Sequence, residues 1–219
     1  CAIEDAGFEI RDCLGWLDGS GFPKSLNVGD GWGTALKPAW EPIILARKPL
    51  SERTVAANVL TYGTGAINID ATRVPTTDTY VINTFDDGAK PFGDGAGHDY
   101  TTNPQPELGR WPANVLLDEE SGAQLDEQGA TSTSRTSRFF YCSKASVRER
   151  EEGLTPVPGE RRANKHPTVK PLALMQYLVT LITPPGGLVI DPFMGSGSTG
   201  CVAASLGVEF VGIDLDPNN

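Results

Sequence analysis

The sequence predicts an α/β fold in which a parallel sheet holds a nucleotide-like ligand at the carboxyl ends of its strands. Two observations near the C-terminus carry that prediction. Leu188-Val189-Ile190-Asp191 is an apolar strand that ends in an acid and runs into Pro192-Phe193-Met194-Gly195-Ser196-Gly197-Ser198-Thr199-Gly200, a glycine loop opening a helix. Glycines let the backbone approach a ligand, the helix start presents unpaired N–H groups, and the acid sits where open α/β sheets bind ligands. The second observation is Val208 to Asp214, a strand-like run ending in another acid, where a ribose hydroxyl pair needs an acceptor.

The remaining elements follow in chain order. Cys1 to Gly7 reads as part of a helix, and Phe8 to Leu17 alternates as a strand. Gly19 to Ser25 has the turn chemistry of an irregular loop, in which Lys24 is either an ordinary exposed lysine or a phosphate contact. Trp40 to Pro49 is a second strand, apolar from Ile43 to Ala46 as expected when helices cover both faces; Pro42 suits a strand start or a sheet edge. Over residues 51–136 Gly, Pro, Thr, Asn and Asp dominate, which predicts an irregular insertion. Its strand-like pieces are Ala66 to Ile69 and Asn114 to Leu117, and Phe85 to Asp99 reads as a mobile loop. Phe139 to Cys142 returns as a strand, followed by a short charged helix or turn over 144–152. Pro171 is placed to start a helix whose core stripe is Leu174, Met175, Leu178, Val179 and Ile182. The helix after the glycine loop, 198–206, uses Ala203 and Ala204 to approach the sheet and ends at Gly207.

At 219 residues, 39% hydrophobic and 21% charged, the chain is long enough for one sizeable α/β domain with room for a subdomain. Cys1, Cys13, Cys142 and Cys201 are scattered without C-x-x-C spacing, so neither a metal site nor a disulfide framework is indicated, and a reducing cytoplasm fits. The longest nearly apolar stretch, Leu172 to Ile182, is too short to span a bilayer, and no signal peptide is visible.

Gly195, Gly197 and Gly200 also satisfy the G-x-G-x-x-G fingerprint of NAD enzymes, which makes an oxidoreductase the obvious rival. A dinucleotide fold needs further strands after the acid, yet only Leu215 to Asn219 follow Asp214, so the rest of the sheet is expected from upstream. No Gly-Lys-Ser/Thr follows the glycines, which argues against a P-loop.

Asp191 to Thr199 resembles the D-P-F-x-G-S-G-T-T cofactor motif of S-adenosylmethionine-dependent DNA methyltransferases acting on exocyclic amines, adenine N6 or cytosine N4. His166-Pro167-Thr168-Val169-Lys170-Pro171-Leu172-Ala173-Leu174-Met175 is similar to their H-P-T-x-K-P-x-x-L-M segment, and Trp40 to Lys48 to their h-E-x-I-x-x-x-x-K strand. The resemblance is close over 139–214 and looser over 1–50. It implies a Rossmann-like sheet with helices on both faces in circularly permuted order, built from 1–50 and 137–219, with 51–136 as a variable insertion that could read the target sequence.

The same resemblance assigns the cofactor site. Asp191 and Phe193 would line the pocket, Gly195 and Gly197 would bring backbone groups close, Ser198 and Thr199 would add hydroxyls, and Asp214 would hold the ribose. The family more often has Glu at that last position. Thr168, Lys170 and Pro171 would cover the methionine end, although Thr168 could equally cap the following helix. The family's catalytic [D/N/S]-P-P-[Y/F/W] is not in this sequence; Pro184-Pro185 is followed by Gly186 and reads as a loop, so the chain is expected to be a fragment without catalytic residues of its own. Neither His98 nor His166 is expected to act as a base.

The implied partner is double-stranded DNA, and a net charge of −10 sits awkwardly with it. Residues 131–170, however, carry nine basic residues against four acids. That stretch is either the DNA side or a solvated face; Arg135, Arg138 and Lys144 within it, together with Lys24 in the earlier loop, are the candidate DNA contacts. The expected function is site-specific DNA methylation in a bacterial or phage-infected cell. The alternative is a non-catalytic DNA- or partner-binding module on the same fold.

Overall fold

The structure, a computed structural model, describes residues 1–19, 25–76, 81–84, 99–102, 108–128, 135–143 and 170–215, with the backbone alone at 81–84 and 99–102. A short helix α1 (Ala2–Asp5) leads into strand β1 (Glu9–Leu17). The hairpin of β2 (Asn27–Gly29) and β3 (Trp32–Gly33) precedes β4 (Trp40–Arg47), which runs back antiparallel along β1 from Leu17 opposite Trp40 to Glu9 opposite Arg47. Helix α2 (Val55–Tyr62) starts where the Thr54 hydroxyl oxygen accepts the Ala57 N–H at 3.1 Å and stops at Gly63, whose φ of 69° only glycine adopts without strain. Strands β5 (Val81–Thr84) and β6 (Asp99–Thr102) pair antiparallel. Strand β7 (Val115–Asp118) ends in an acid whose Oδ1 accepts the Ser121 N–H at 2.7 Å and so starts α3 (Glu119–Gln128). Strand β8 (Tyr141–Ser143), helix α4 (Leu172–Ile182), strand β9 (Leu188–Asp191), helix α5 (Ser198–Leu206) and strand β10 (Glu209–Gly212) complete the described elements.

The main sheet has the order β4-β1-β7-β8, with β1, β7 and β8 parallel and β4 antiparallel at one edge. Trp16, Leu116 and Tyr141 stand opposite one another on neighbouring strands and therefore share a face. Helix α4 covers that face: Leu174, Tyr177 and Leu181 join Leu14, Trp16 and Leu116 in one buried cluster. Tyr141 stacks on Tyr177 with ring centroids 4.3 Å apart, and its hydroxyl donates to the Ala173 carbonyl at 3.0 Å. Burial raises the pKa of the Tyr177 phenol. On the other face, Leu117 aligns with Cys142, and α3 comes so close that a Cβ on Gly122 would sit 3.2 Å from the Cys142 sulfur. Helices thus cover both faces of this part of the sheet.

Several sequence expectations are corrected by this architecture. Residues 51–136 are not only an insertion, because β7 lies inside that range and forms the middle of the main sheet. Ala66 to Ile69 is not a strand: the Asn68 N–H is taken by the Leu181 carbonyl at the end of α4, and the Thr72 hydroxyl caps the Asn68 carbonyl at 2.7 Å. The α2 helix was not expected there at all. Residues 136–139 form a 3₁₀ turn, so the returning strand begins only at Tyr141. Strand β4 is covered on one face alone, since Ile43 and Leu45 pack on the core cluster while Ile44 is 43% exposed. As an edge strand it accommodates Pro42 without breaking a ladder. In α4 the core residues include Tyr177 and Leu181, while Ile182 is 55% exposed, because the helix packs on both the sheet and α5. In α5 Ala203 is buried but Ala204 is exposed.

Strands β9 and β10 form a separate parallel pair, from Leu188 opposite Glu209 to Asp191 opposite Gly212. Their closest helical contact is α5, where a Cβ on Gly200 would lie 2.8 Å from the Phe210 ring. The loop expected over Phe85 to Asp99, apart from Asp99 at the start of β6, and the charged helix or turn expected over 144–152 lie outside the described residues. Among the described residues no helix is long and apolar enough to cross a membrane.

Two outcomes follow from this packing. Leu116 is fully buried at the centre of the cluster, so Leu116→Ala should destabilise the fold by about 2–5 kcal/mol in urea unfolding. Asp126 accepts the Ser137 N–H at 2.8 Å and its hydroxyl at 2.7 Å, and that backbone N–H holds its carboxyl below the usual carboxylate range. A depressed folded pKa contributes stability above the ordinary carboxylate pKa and loses it as pH falls through the lower folded value. Asp126→Asn should therefore flatten the acid limb of a melting temperature against pH curve; an unchanged limb would place that acid sensitivity elsewhere.

Candidate functional site

The glycine loop spans two strand ends that lie side by side. Beyond the last β9–β10 pair, Gly212 with Asp191, the Ile213 N–H donates to the Asp191 carbonyl at 2.8 Å and the Met194 N–H donates to the Ile213 carbonyl at 2.9 Å. The backbone ladder is thus carried into the loop, and Asp191 and Asp214 are brought to the same rim. The Gly195 N–H donates to Asp214 Oδ2 at 2.7 Å, which fastens the loop to the acid beyond β10. Gly195 and Gly197 have φ of 53° and 78°, left-handed conformations in which any side chain is strained.

Asp191 has both carboxylate oxygens in use. Oδ1 accepts the Phe193 N–H at 3.0 Å, and Oδ2 accepts the Thr199 hydroxyl at 2.6 Å. Thr199 is buried, and in this structure its hydroxyl donates to Asp191. Ser198 is half-buried at the first turn of α5. That turn has no side-chain cap, so its N–H groups remain as the positive end of the helix dipole. Phe193 is 84% exposed beside the loop, and a Cβ added to Gly197 would meet no atom within 4 Å. The rim therefore combines two carboxylates, uncapped amide donors, an exposed aromatic ring and open space over a glycine. This donor set fits a ligand carrying a sugar diol, an apolar ring and an amino acid group.

The other motif residues are placed differently. Thr168 lies outside the described residues. Pro171 stands at the cap position just before α4, with φ −56° and an extended ψ of 132°. The Lys170 ammonium donates to Glu41 Oε2 on β4 and lies 5.2 Å from the centroid of the Trp16 ring. Glu41 was not singled out by sequence beyond its strand pattern. Asp118 is a second residue that sequence missed: its Oδ2 accepts the Gly19 N–H at 3.1 Å, tying the exit of β1 to the exit of β7. Its signal was an acid between an apolar run and a helix.

Of the four candidate nucleic-acid contacts, Lys24 and Lys144 lie outside the described residues. Arg135 is exposed, and Arg138 places its guanidinium 4.8 Å from the Phe139 ring centroid, with Arg110 on the same ring at 4.5 Å. Arg135 and Arg138 lie just before β8, whereas Lys170 reaches the region where β1 ends. Among the described residues no group of three or more His, Cys, Asp or Glu is placed to hold a metal ion.

A family model described as DNA methylase matches residues 1–219. Two curated relatives are similar over 57 residues: Type II methyltransferase M2.DpnII of Streptococcus pneumoniae at 47% identity and Type II methyltransferase M2.LlaDCHI of Lactococcus lactis subsp. cremoris at 46%. Each match covers 26% of this chain and 21% of the relative, about a fifth of its length. Among solved structures, the M1.HpyAVI–SAM complex aligns with 99% of this chain and 61% of its own, at 18% identity and a TM-score of 0.42. The PvuII DNA methyltransferase (cytosine-N4-specific) aligns with 98% of this chain and 50% of its own, at 16% identity and a TM-score of 0.49.

Removing the Thr199 hydroxyl while keeping its shape tests the loop geometry. Thr199→Val should cost about 1–3 kcal/mol in urea unfolding, because a bond to a charged group is lost at a buried position. Thr199→Ser should recover most of that loss.

Proposed function

The chain belongs to the N6/N4 DNA methylase family, and on that premise we propose that its glycine loop binds S-adenosylmethionine for methyl transfer to an exocyclic amine of adenine or cytosine in double-stranded DNA. The observation that carries the reading is the loop over 192–200, closed between Asp191 and Asp214 with open space over Gly197. In this reading Asp214 accepts from the ribose hydroxyls, while the loop amides and the uncapped start of α5 receive the carboxylate end. Phe193 offers its exposed ring to the ligand's apolar part. Ser198 adds a hydroxyl at the helix start, and Thr168 and Pro171 belong to the wall at the methionine end. Asp191 works by shaping the loop.

S-adenosylmethionine supplies a methyl group on a positively charged sulfur, so that transfer needs an amine nitrogen brought in line with it. The contribution of this chain is to fix that ligand's orientation, since positioning and exclusion of water account for much of the acceleration available to such a reaction. The target base must leave the duplex to reach a rim of this kind. Lys24 after β1 and Arg135, Arg138 and Lys144 in the basic stretch are the proposed phosphate contacts, with the overall negative charge disfavouring DNA elsewhere on the surface. The two curated relatives are bacterial, and a bacterial cytoplasm is the compartment that fits.

Titration calorimetry with S-adenosylmethionine tests the reading. Saturable binding at one site is expected, and Asp191→Ala or Asp214→Ala should weaken it at least about tenfold, or about 1.4 kcal/mol. Undetectable binding by the wild-type chain, wild-type affinity retained in both variants, or preferential binding of a nicotinamide dinucleotide would overturn it.

A further inference from the structure

We propose that Glu41 is a positioning residue for the cofactor site and that it acts through Lys170, which holds α4 on the main sheet and does not itself touch the ligand. The inference rests on the S-adenosylmethionine reading above. Lys170 and Glu41 are 129 residues apart in sequence, yet the ammonium donates directly to Glu41 Oε2. Glu41 is the register partner of Trp16 on the adjacent strand, and the same ammonium lies over the Trp16 ring. Trp16 is only 4% exposed, so the lysine is fixed from two sides: by a carboxylate on the edge strand and by the face of a buried indole.

Location makes this contact consequential. Helix α4 begins two residues after Lys170 and has no side-chain cap of its own, so at that end the ion pair joins the Tyr141 hydroxyl's bond to the Ala173 carbonyl in tying the helix to the sheet. Helix α4 packs on the main sheet through Leu174, Tyr177 and Leu181, and it also packs on α5. The glycine loop opens α5. A shift at the start of α4 is therefore passed through two packed helices to Gly195 and Gly197, without any bond between Lys170 and the ligand. Packed interiors transmit such shifts because they have little free volume to absorb them.

Magnitude separates this role from a general stabilising one. The Lys170 and Glu41 side chains are 37% and 49% exposed, and ion pairs at that exposure add little to global stability. Breaking the pair should leave the fold intact while moving the loop, and small misplacements at a distance can cost on the order of a hundredfold in a site.

The test is a charge swap read by calorimetry with S-adenosylmethionine and by thermal melting. Glu41→Lys and Lys170→Glu alone should each weaken binding by about tenfold with melting temperatures close to wild type. The double variant, Glu41→Lys with Lys170→Glu, should recover affinity to within about threefold of wild type. Unchanged affinity in Glu41→Lys would overturn the proposal. So would a double variant no better than Lys170→Glu, which would mean that the lysine contacts the ligand directly. If the wild-type chain itself binds no S-adenosylmethionine, the functional reading falls and this inference falls with it.

Discussion

The packing of α4 is the constraint on which the rest of the structure depends. Among the described residues no backbone ladder joins the β9–β10 pair to the main sheet, so the two are related through helices. One side of α4 buries Leu174, Tyr177 and Leu181 against β1 and β7, and the helix also packs on α5, which opens from the glycine loop. A helix held on one flank by apolar burial and ring stacking, and bonded through Ala173 to the Tyr141 hydroxyl, has little freedom to slide. The glycine loop inherits that placement.

Within the site, the carboxylates are chiefly architectural. Asp191 accepts from Phe193 and Thr199, and Asp214 accepts from Gly195, so each acid organises backbone that would otherwise have to be ordered when a ligand arrives. Ordering a residue costs on the order of 1–2 kcal/mol, and a loop already bonded at both ends has met much of that cost in folding. The glycines complete the arrangement at Gly195 and Gly197, where positive φ lets the chain turn over the strand ends.

Legibility in the sequence differed by the range of the interaction involved. The strand, glycine loop and helix from Leu188 to Leu206 could be read because the signals that mark them are local: apolar run, terminal acid, left-handed glycines and the Gly207 stop. The Thr54 cap and Gly63 stop of α2 were equally local, but the Gly- and Asn-rich texture around them hid the helix. The strand-like Ala66 to Ile69 misled for the opposite reason: its composition suits a strand, yet its backbone bonds go to the end of α4. Composition likewise marked 51–136 as peripheral, although four of its residues, Val115 to Asp118, run through the middle of the main sheet.

By itself the sequence determined the chemistry at the rim: which residues are acids, where the backbone must turn left-handed, and which family the two ordered motifs resemble. Only the tertiary structure decided what those groups bond to. Lys170 reads in sequence as part of a cofactor wall and stands in the fold on Glu41 and Trp16; Thr199 reads as a ligand hydroxyl and is bound to Asp191. The reason is physical. Residue type and short spacing set a side chain's donors and local conformation, but a buried polar group takes whichever partner the packing brings within bonding distance, and that partner can lie more than a hundred residues away.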